Sequence, residues 1–79
     1  MPELFRLFGI KFFFFSREHL PIHVHIKNAD GHAKYILEPE IQLIVNNGMK
    51  TKDLRLAESI IEENKELIIL RWEEYHGTD

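Results

Sequence analysis

From Thr51 to the end of the chain, apolar residues fall at Leu54, Ala57, Ile61, Ile68, Trp72 and Tyr75, with Asn64 in the same series and Ile60 and Leu67 flanking it. Steps of three and four place all of these on one stripe of an α-helix. The spacing predicts one long amphipathic helix, with a break near Asn64 into two helices as the second choice. Thr51 suits its N-cap, Asp53 suits the positive end of the helix dipole, and Gly77 stands where a C-terminal cap falls. No repeat, low-complexity tract or linker separates this segment from the rest, so the stripe has to be buried against the residues before it.

Those residues read as β-structure. Up to about Asn47 the segments are short and rich in Phe, Ile, Val and Tyr, and Gly9, Pro21, Asp30-Gly31, Pro39 and Asn46-Asn47-Gly48 break them into strands and turns. The expectation is a single α+β domain over residues 1–79, with an antiparallel sheet of four or five short strands covered on one face by the long C-terminal helix.

Size and composition restrict function further. A chain of 79 residues has room for one core and one site. It contains no cysteine, which removes disulfides and thiolate ligands and fits a reducing cytoplasm. The longest unbroken aromatic run, Phe12–Phe15, is too short for a signal segment or a membrane span. Residues 1–56 carry a net charge of +2 and residues 57–79 a net of −5, which is not the basic footprint of a general duplex-binding protein. A local phosphate site remains compatible with it.

The turn Ala29-Asp30-Gly31-His32 is the sharpest local signal. Asp-Gly at the centre of a two-residue loop favours a type I′ hairpin, since both positions need positive φ. That register pairs Ala29 with His32, Lys27 with Lys34, His25 with Ile36 and His23 with Glu38. Alternation then places His23, His25, Lys27, Lys34, Ile36 and Glu38 on one face, and Ile22, Val24, Ile26, Ala33, Tyr35 and Leu37 on the other. The second set is nearly all apolar and is the natural seat of the helix, so the histidines are expected to point away from the core.

Three of the five histidines, His19, His23 and His25, lie within seven positions of one another. Side chains two apart on a strand project the same way, so His23 and His25 can converge on one atom, with Glu18, His19 and Glu38 close by. Two chemistries use such a cluster. The histidines with a carboxylate can bind a divalent ion. Alternatively they act without metal as acid and base, while Arg17, Lys27 and Lys34 hold a phosphate, and cleavage of RNA through its own 2′-hydroxyl fits that equipment. The lysines on the same face oppose a cation and favour the metal-free case, so no cofactor is assigned. A P-loop, a Gly-x-Gly-x-x-Gly motif and a cysteine nucleophile are absent, and Ser16 lies outside any nucleophile elbow. The Phe12–Phe15 run alternates faces, so one pair of rings is expected beside the histidines, as a second small core, a wall of the site or an interface.

The run Phe-Phe-Phe-Phe-Ser-x-Glu-His-x-Pro-x-His-Val-His at 12–25, with Asp30-Gly31-x-Ala33-Lys34, Leu37-Glu38-Pro39, Glu62-Glu63-Asn64-Lys65-Glu66 and Trp72-x-x-Tyr75, resembles a family of small bacterial proteins known as domain-of-unknown-function family 4160. Ile22 departs from it, standing where that pattern commonly has a second proline. The resemblance implies one half of a two-gene module in the style of toxin-antitoxin pairs, with Glu18, His19, His23 and His25 as the functional set. The expectation is therefore a toxin-like protein acting on RNA or another phosphate-bearing target, partnered by a small antitoxin-like protein or by a second copy, with no membrane contact. Two alternatives stand: a non-enzymatic module that binds a protein or regulates transcription, and, third, a divalent metal-binding protein.

Overall fold

The computed structural model describes residues 3–77. Five strands come first, β1 (Glu3–Leu7), β2 (Ile10–Phe13), β3 (His23–Lys27), β4 (His32–Ile36) and β5 (Gln42–Asn47), followed by helices α1 (Thr51–Glu63) and α2 (Lys65–His76). The strands form one antiparallel sheet in the order β1-β2-β3-β4-β5, each paired with its neighbour in sequence. The fold is α+β. Among the described residues, no helix is long and apolar enough to cross a membrane.

Alternation along the strands makes the core. Val24 and Ile26 on β3, Ala33 and Tyr35 on β4, and Phe12 on β2 are all at most 1% exposed, and they meet Leu54, Ala57, Ile60 and Ile61 of α1 and Ile68 and Trp72 of α2. The Tyr35 hydroxyl donates to the Leu54 carbonyl at 2.9 Å, which fastens α1 to this face of the sheet.

The second helical choice is the one realised: Asn64 divides the segment, and a single long helix is not formed. Its backbone lies at φ −115°, ψ 17°, and its N–H is shared between the Ile60 and Ile61 carbonyls. Its side-chain amide also donates to the Ile60 carbonyl at 2.8 Å. A side chain that competes for carbonyls within its own turn loosens the helical ladder there. Tyr75, assigned to the stripe, is 46% exposed. Thr51 is the first helical residue, and Lys50 is the N-cap without a side-chain hydrogen bond. The Asn46 side chain, bonded to both the N–H and the carbonyl of Met49, sets the entry to α1 instead.

The β3–β4 register also differs from the expected one. His25 stands opposite Lys34, His23 opposite Ile36 and Lys27 opposite His32, and the loop is Asn28–Gly31. The cause is Asn28, whose side-chain oxygen accepts the N–H groups of Asp30 at 3.0 Å and Gly31 at 3.2 Å and builds a four-residue loop. Neither Asp30 nor Gly31 has positive φ, whereas Phe8 at 53° and Gly9 at 76° do, so the conformation expected at Asp30-Gly31 closes the β1–β2 hairpin instead. Gly31 is needed for space: a Cβ there would lie 2.0 Å from the Asn47 carbonyl oxygen. A two-residue shift preserves the faces, so the apolar set is buried as expected while the cross-strand partners change.

Candidate functional site

Glu18 leaves the β2–β3 connection with its carboxylate between two imidazoles. His23 Nε2 and His25 Nε2 each lie 2.5 Å from Glu18 Oε2, and Glu18 Oε1 accepts the Phe15 N–H at 2.9 Å. His23 Nδ1 donates to the Pro21 carbonyl at 2.9 Å, which places a proton on Nδ1 and orients the ring with Nε2 toward Glu18. The ligand atoms of Glu18, His23 and His25 all lie within 4.8 Å of one another, the geometry in which two nitrogens and one oxygen can hold a metal ion.

The electrostatics are uneven. Burial pushes the Glu18 carboxyl up, but hydrogen bonds with His25, the Phe15 N–H and His23 outweigh it, and the group sits below its ordinary value and is ionised at neutral pH. Burial lowers His25, and the nearby Glu18 offsets this only in part, so its imidazole titrates below the ordinary value.

Aromatic rings wall the centre. Phe13 stacks on His25 at 5.5 Å between centroids, Phe15 meets the same ring at 4.4 Å, and Trp72 lies 5.0 Å from His23. Phe12 and Phe14 are fully buried, so the odd-numbered pair is the one beside the histidines. Phe13, His25, Lys34 and Val45 form a cross-strand row over β2 to β5, and with Phe15 and His32 they line a groove of about 180 Å³. A second groove, on the other side of Glu18, is lined by Ser16, Arg17, His19, Tyr75 and His76.

The expected residues thus divide into groups. Glu18, His23 and His25 converge; Lys34 faces His25; Arg17 and His19 line the second groove with Glu18. Lys27 does not join them: it is opposite Lys11 on β2 and lines a groove at the far end of the strand with Arg6, Gly9 and Asn28. Glu38 is exposed beyond the end of β4, because the shifted register gives its expected place opposite His23 to Ile36. His23 departs from the expectation that the histidines point away from the core, being 6% exposed beneath Trp72. Ile22, at the expected proline position, is held by its own burial and by its carbonyl, which accepts the Leu37 N–H at 2.9 Å.

His76 was not anticipated. It follows Trp72 by one helical turn, stacks on it at 4.2 Å and donates from Nε2 to the Phe15 carbonyl at 3.0 Å, closing α2 onto the site loop. Its i+4 relation to Trp72 was the available signal.

A family model described as Domain of unknown function (DUF4160) matches residues 9–73, which include Glu18, His19, His23, His25 and Trp72. No curated protein and no solved structure matches the chain.

Proposed function

We propose that this chain, which belongs to the domain-of-unknown-function family DUF4160, is the toxin-like component of a bacterial two-protein pair, working in the cytoplasm on RNA or another phosphate-bearing target. The observation that carries the reading is the bridging of two imidazoles by Glu18, beside an open groove in which Lys34 faces His25.

His25 is the ring that reaches this groove, and its lowered proton affinity suits a group that must accept a proton at neutral pH. It takes the proton of the attacking 2′-hydroxyl, and the ionised Glu18 stabilises the imidazolium that results. The 2′-oxygen then bonds to phosphorus, the bond from phosphorus to the 5′-oxygen breaks, and the proton passes from His25 to that leaving oxygen. Lys34 offsets the charge that gathers on the phosphoryl oxygens. Phe15, 43% exposed, offers the apolar surface against which a base can stack. His23, with both ring nitrogens engaged, holds Glu18 in place.

One feature favours a second reading, that of a non-enzymatic protein-binding or transcription-regulatory module. Strand β5 is a sheet edge with Leu43, Ile44 and Val45 all more than a third exposed, and an uncharged apolar edge of this kind suits an antitoxin-like partner or a second copy. Expression of the chain in a bacterial host separates the two. Growth arrest and RNA cleavage that are lost together in a folded His25→Ala variant support the catalytic reading. Arrest that persists in both His25→Ala and Glu18→Gln assigns the effect to binding.

A further inference from the structure

Hydrogen-bond accounting around Glu18 leaves a positive charge to be supplied. The Pro21 carbonyl can only accept, so His23 Nδ1 carries a proton, and a neutral His23 then turns the bare lone pair of Nε2 toward a carboxylate oxygen 2.5 Å away. The same oxygen meets a second ring nitrogen, that of His25, at 2.5 Å. A neutral His25 can hold its proton on Nε2 and donate it to Glu18, so hydrogen bonds alone account for both contacts when His23 is protonated. With both Nε2 atoms deprotonated, two nitrogens and a carboxylate oxygen present lone pairs to one place, their ligand atoms within 4.8 Å of one another and their side chains at most 14% exposed.

We infer that Glu18, His23 and His25 form a site for a divalent transition-metal ion of the imidazole-binding class, with zinc as its natural probe. Two imidazoles and one carboxylate form a donor set that leaves a tetrahedral ion one open position, the arrangement of hydrolytic rather than structural sites. Around such an ion, ligand atoms about 2.0 to 2.2 Å from the metal stand about 3.3 Å apart, so each nitrogen has to withdraw from Oε2 by less than about 1 Å. Small rotations of the Glu18 side chain, which sits on a connection and not on a strand, provide that movement. The outer contacts are those that metal-bound ligands usually have: His23 donates its remaining N–H to a backbone carbonyl, and the far oxygen of Glu18 is held by the Phe15 N–H.

The objection from charge is weaker than the sequence suggests. Of the two lysines expected to repel a cation, Lys27 lines a different groove, and only Lys34 faces the site. One ionised carboxylate among the ligands counters it. The inference rests on the same three residues as the phosphate-directed reading: with an ion bound they serve as its ligands, and the acid–base roles of His25 and Glu18 belong to the metal-free protein.

The test is titration of chelator-stripped protein with Zn²⁺ by calorimetry, with bound metal counted by elemental analysis. One ion per chain is expected, along with a higher melting temperature on loading. Glu18→Gln and His25→Ala should each weaken binding by at least about 100-fold, since loss of even an outer partner costs 10- to 100-fold. Glu38→Gln, whose carboxylate is exposed beyond the end of β4, should bind as the parent does. His23 is buried and its loss endangers folding, so Glu18→Gln and His25→Ala carry the test, with circular dichroism confirming that each is folded. Absence of saturable binding, or binding unchanged in both variants, overturns the site. RNA cleavage is measured separately: stoichiometric zinc without cleavage removes the phosphate-directed reading alone, whereas cleavage by a protein that binds no zinc removes the metal site alone.

Discussion

The indole of Trp72 lies 5.0 Å from the imidazole of His23, centroid to centroid, so the last helix of the chain forms one wall of the candidate site. Trp72 also meets Phe14 edge-on at 5.3 Å and is 2% exposed. Truncating it removes core volume and the cover over His23 in one step. Trp72→Ala should cost about 3 to 5 kcal/mol, measured by urea denaturation. A loss within about 0.5 kcal/mol, the range of surface substitutions, would show that α2 does not pack on the sheet as described.

His23 and His25 should respond differently to removal, although both share Glu18. His23 is buried, bonded through both ring nitrogens and covered by Trp72, whereas His25 lines an open groove. His23→Ala leaves the Pro21 carbonyl without its partner and opens space under the indole, and should cost about 2 to 4 kcal/mol. His25→Ala should cost less, about 1 kcal/mol, because water reaches the vacated place. Equal losses in chemical denaturation would contradict the difference in their environments.

Gly31 and Gly9 offer a contrast in why a glycine is required. A Cβ on Gly31 meets the Asn47 carbonyl oxygen at 2.0 Å, and backbone on both sides must move to admit it. Gly31→Ala should therefore lose about 2 to 3 kcal/mol, at the upper end of overpacking costs. At Gly9 nothing lies within 4 Å, and only the positive φ of 76° is unfavourable, so Gly9→Ala should cost about 1 kcal/mol. Thermal melts of the two variants check the order, and a reversal would mean that the β4–β5 end of the sheet is looser than this contact implies.

Which parts of this molecule could be read from its sequence follows from how local each cause is. The faces of β3 and β4 depend only on alternation, and the apolar set from Ile22 to Leu37 is buried as its pattern indicates. The register depends on one competing side chain. Asn28 accepts two N–H groups of its own loop, and the Asp-Gly signal two residues later could not reveal that. Glu18, His23 and His25 were legible as a cluster because two of them share a strand face and the third precedes them in a short connection. Glu38 and Lys27 were included through the expected register and parity alone, and both lie elsewhere. His76 approaches the site from 61 residues beyond Phe15, so its one local signal, the i+4 spacing from Trp72, places it beside that ring and not at the β2–β3 loop.

Tyr35 provides a pH test that does not involve the candidate site. Burial, reinforced by Glu58, pushes its hydroxyl from 10.0 up to about 12. The folded value lies above the unfolded one, so below about pH 10 both states are protonated and stability is unaffected. Between pH 10 and 12 the unfolded chain releases its proton first, and stability falls by up to about 2 to 3 kcal/mol. Tyr35→Phe should remove this slope while losing about 1 kcal/mol at neutral pH, since the hydrogen bond to the Leu54 carbonyl goes with the hydroxyl. The measurement is urea unfolding at several alkaline pH values. An identical alkaline slope in parent and variant would place the titrating group elsewhere.

Lys34 and Lys27 together test where a phosphate is held. Lys34 stands directly opposite His25 and lines the same groove, whereas Lys27, two residues from His25 along β3, faces the groove shared with Arg6 and Lys11. Both positions carry one positive charge, so their replacement changes net charge equally and alters long-range attraction of a polyanion to a similar degree. Only at Lys34 is a charge adjacent to the reacting groups lost. On an RNA substrate, Lys34→Ala should lower the cleavage rate by about 10²-fold, as removal of a donor to a developing oxyanion does, and Lys27→Ala should change it by less than about 3-fold through weaker encounter alone. Single-turnover cleavage at two salt concentrations distinguishes them, because the Lys27 effect should fade with added salt and the Lys34 effect should persist. Equal, salt-sensitive losses at both positions would mean that the lysines only attract the substrate, and that the groove beside His25 is not where its phosphate sits.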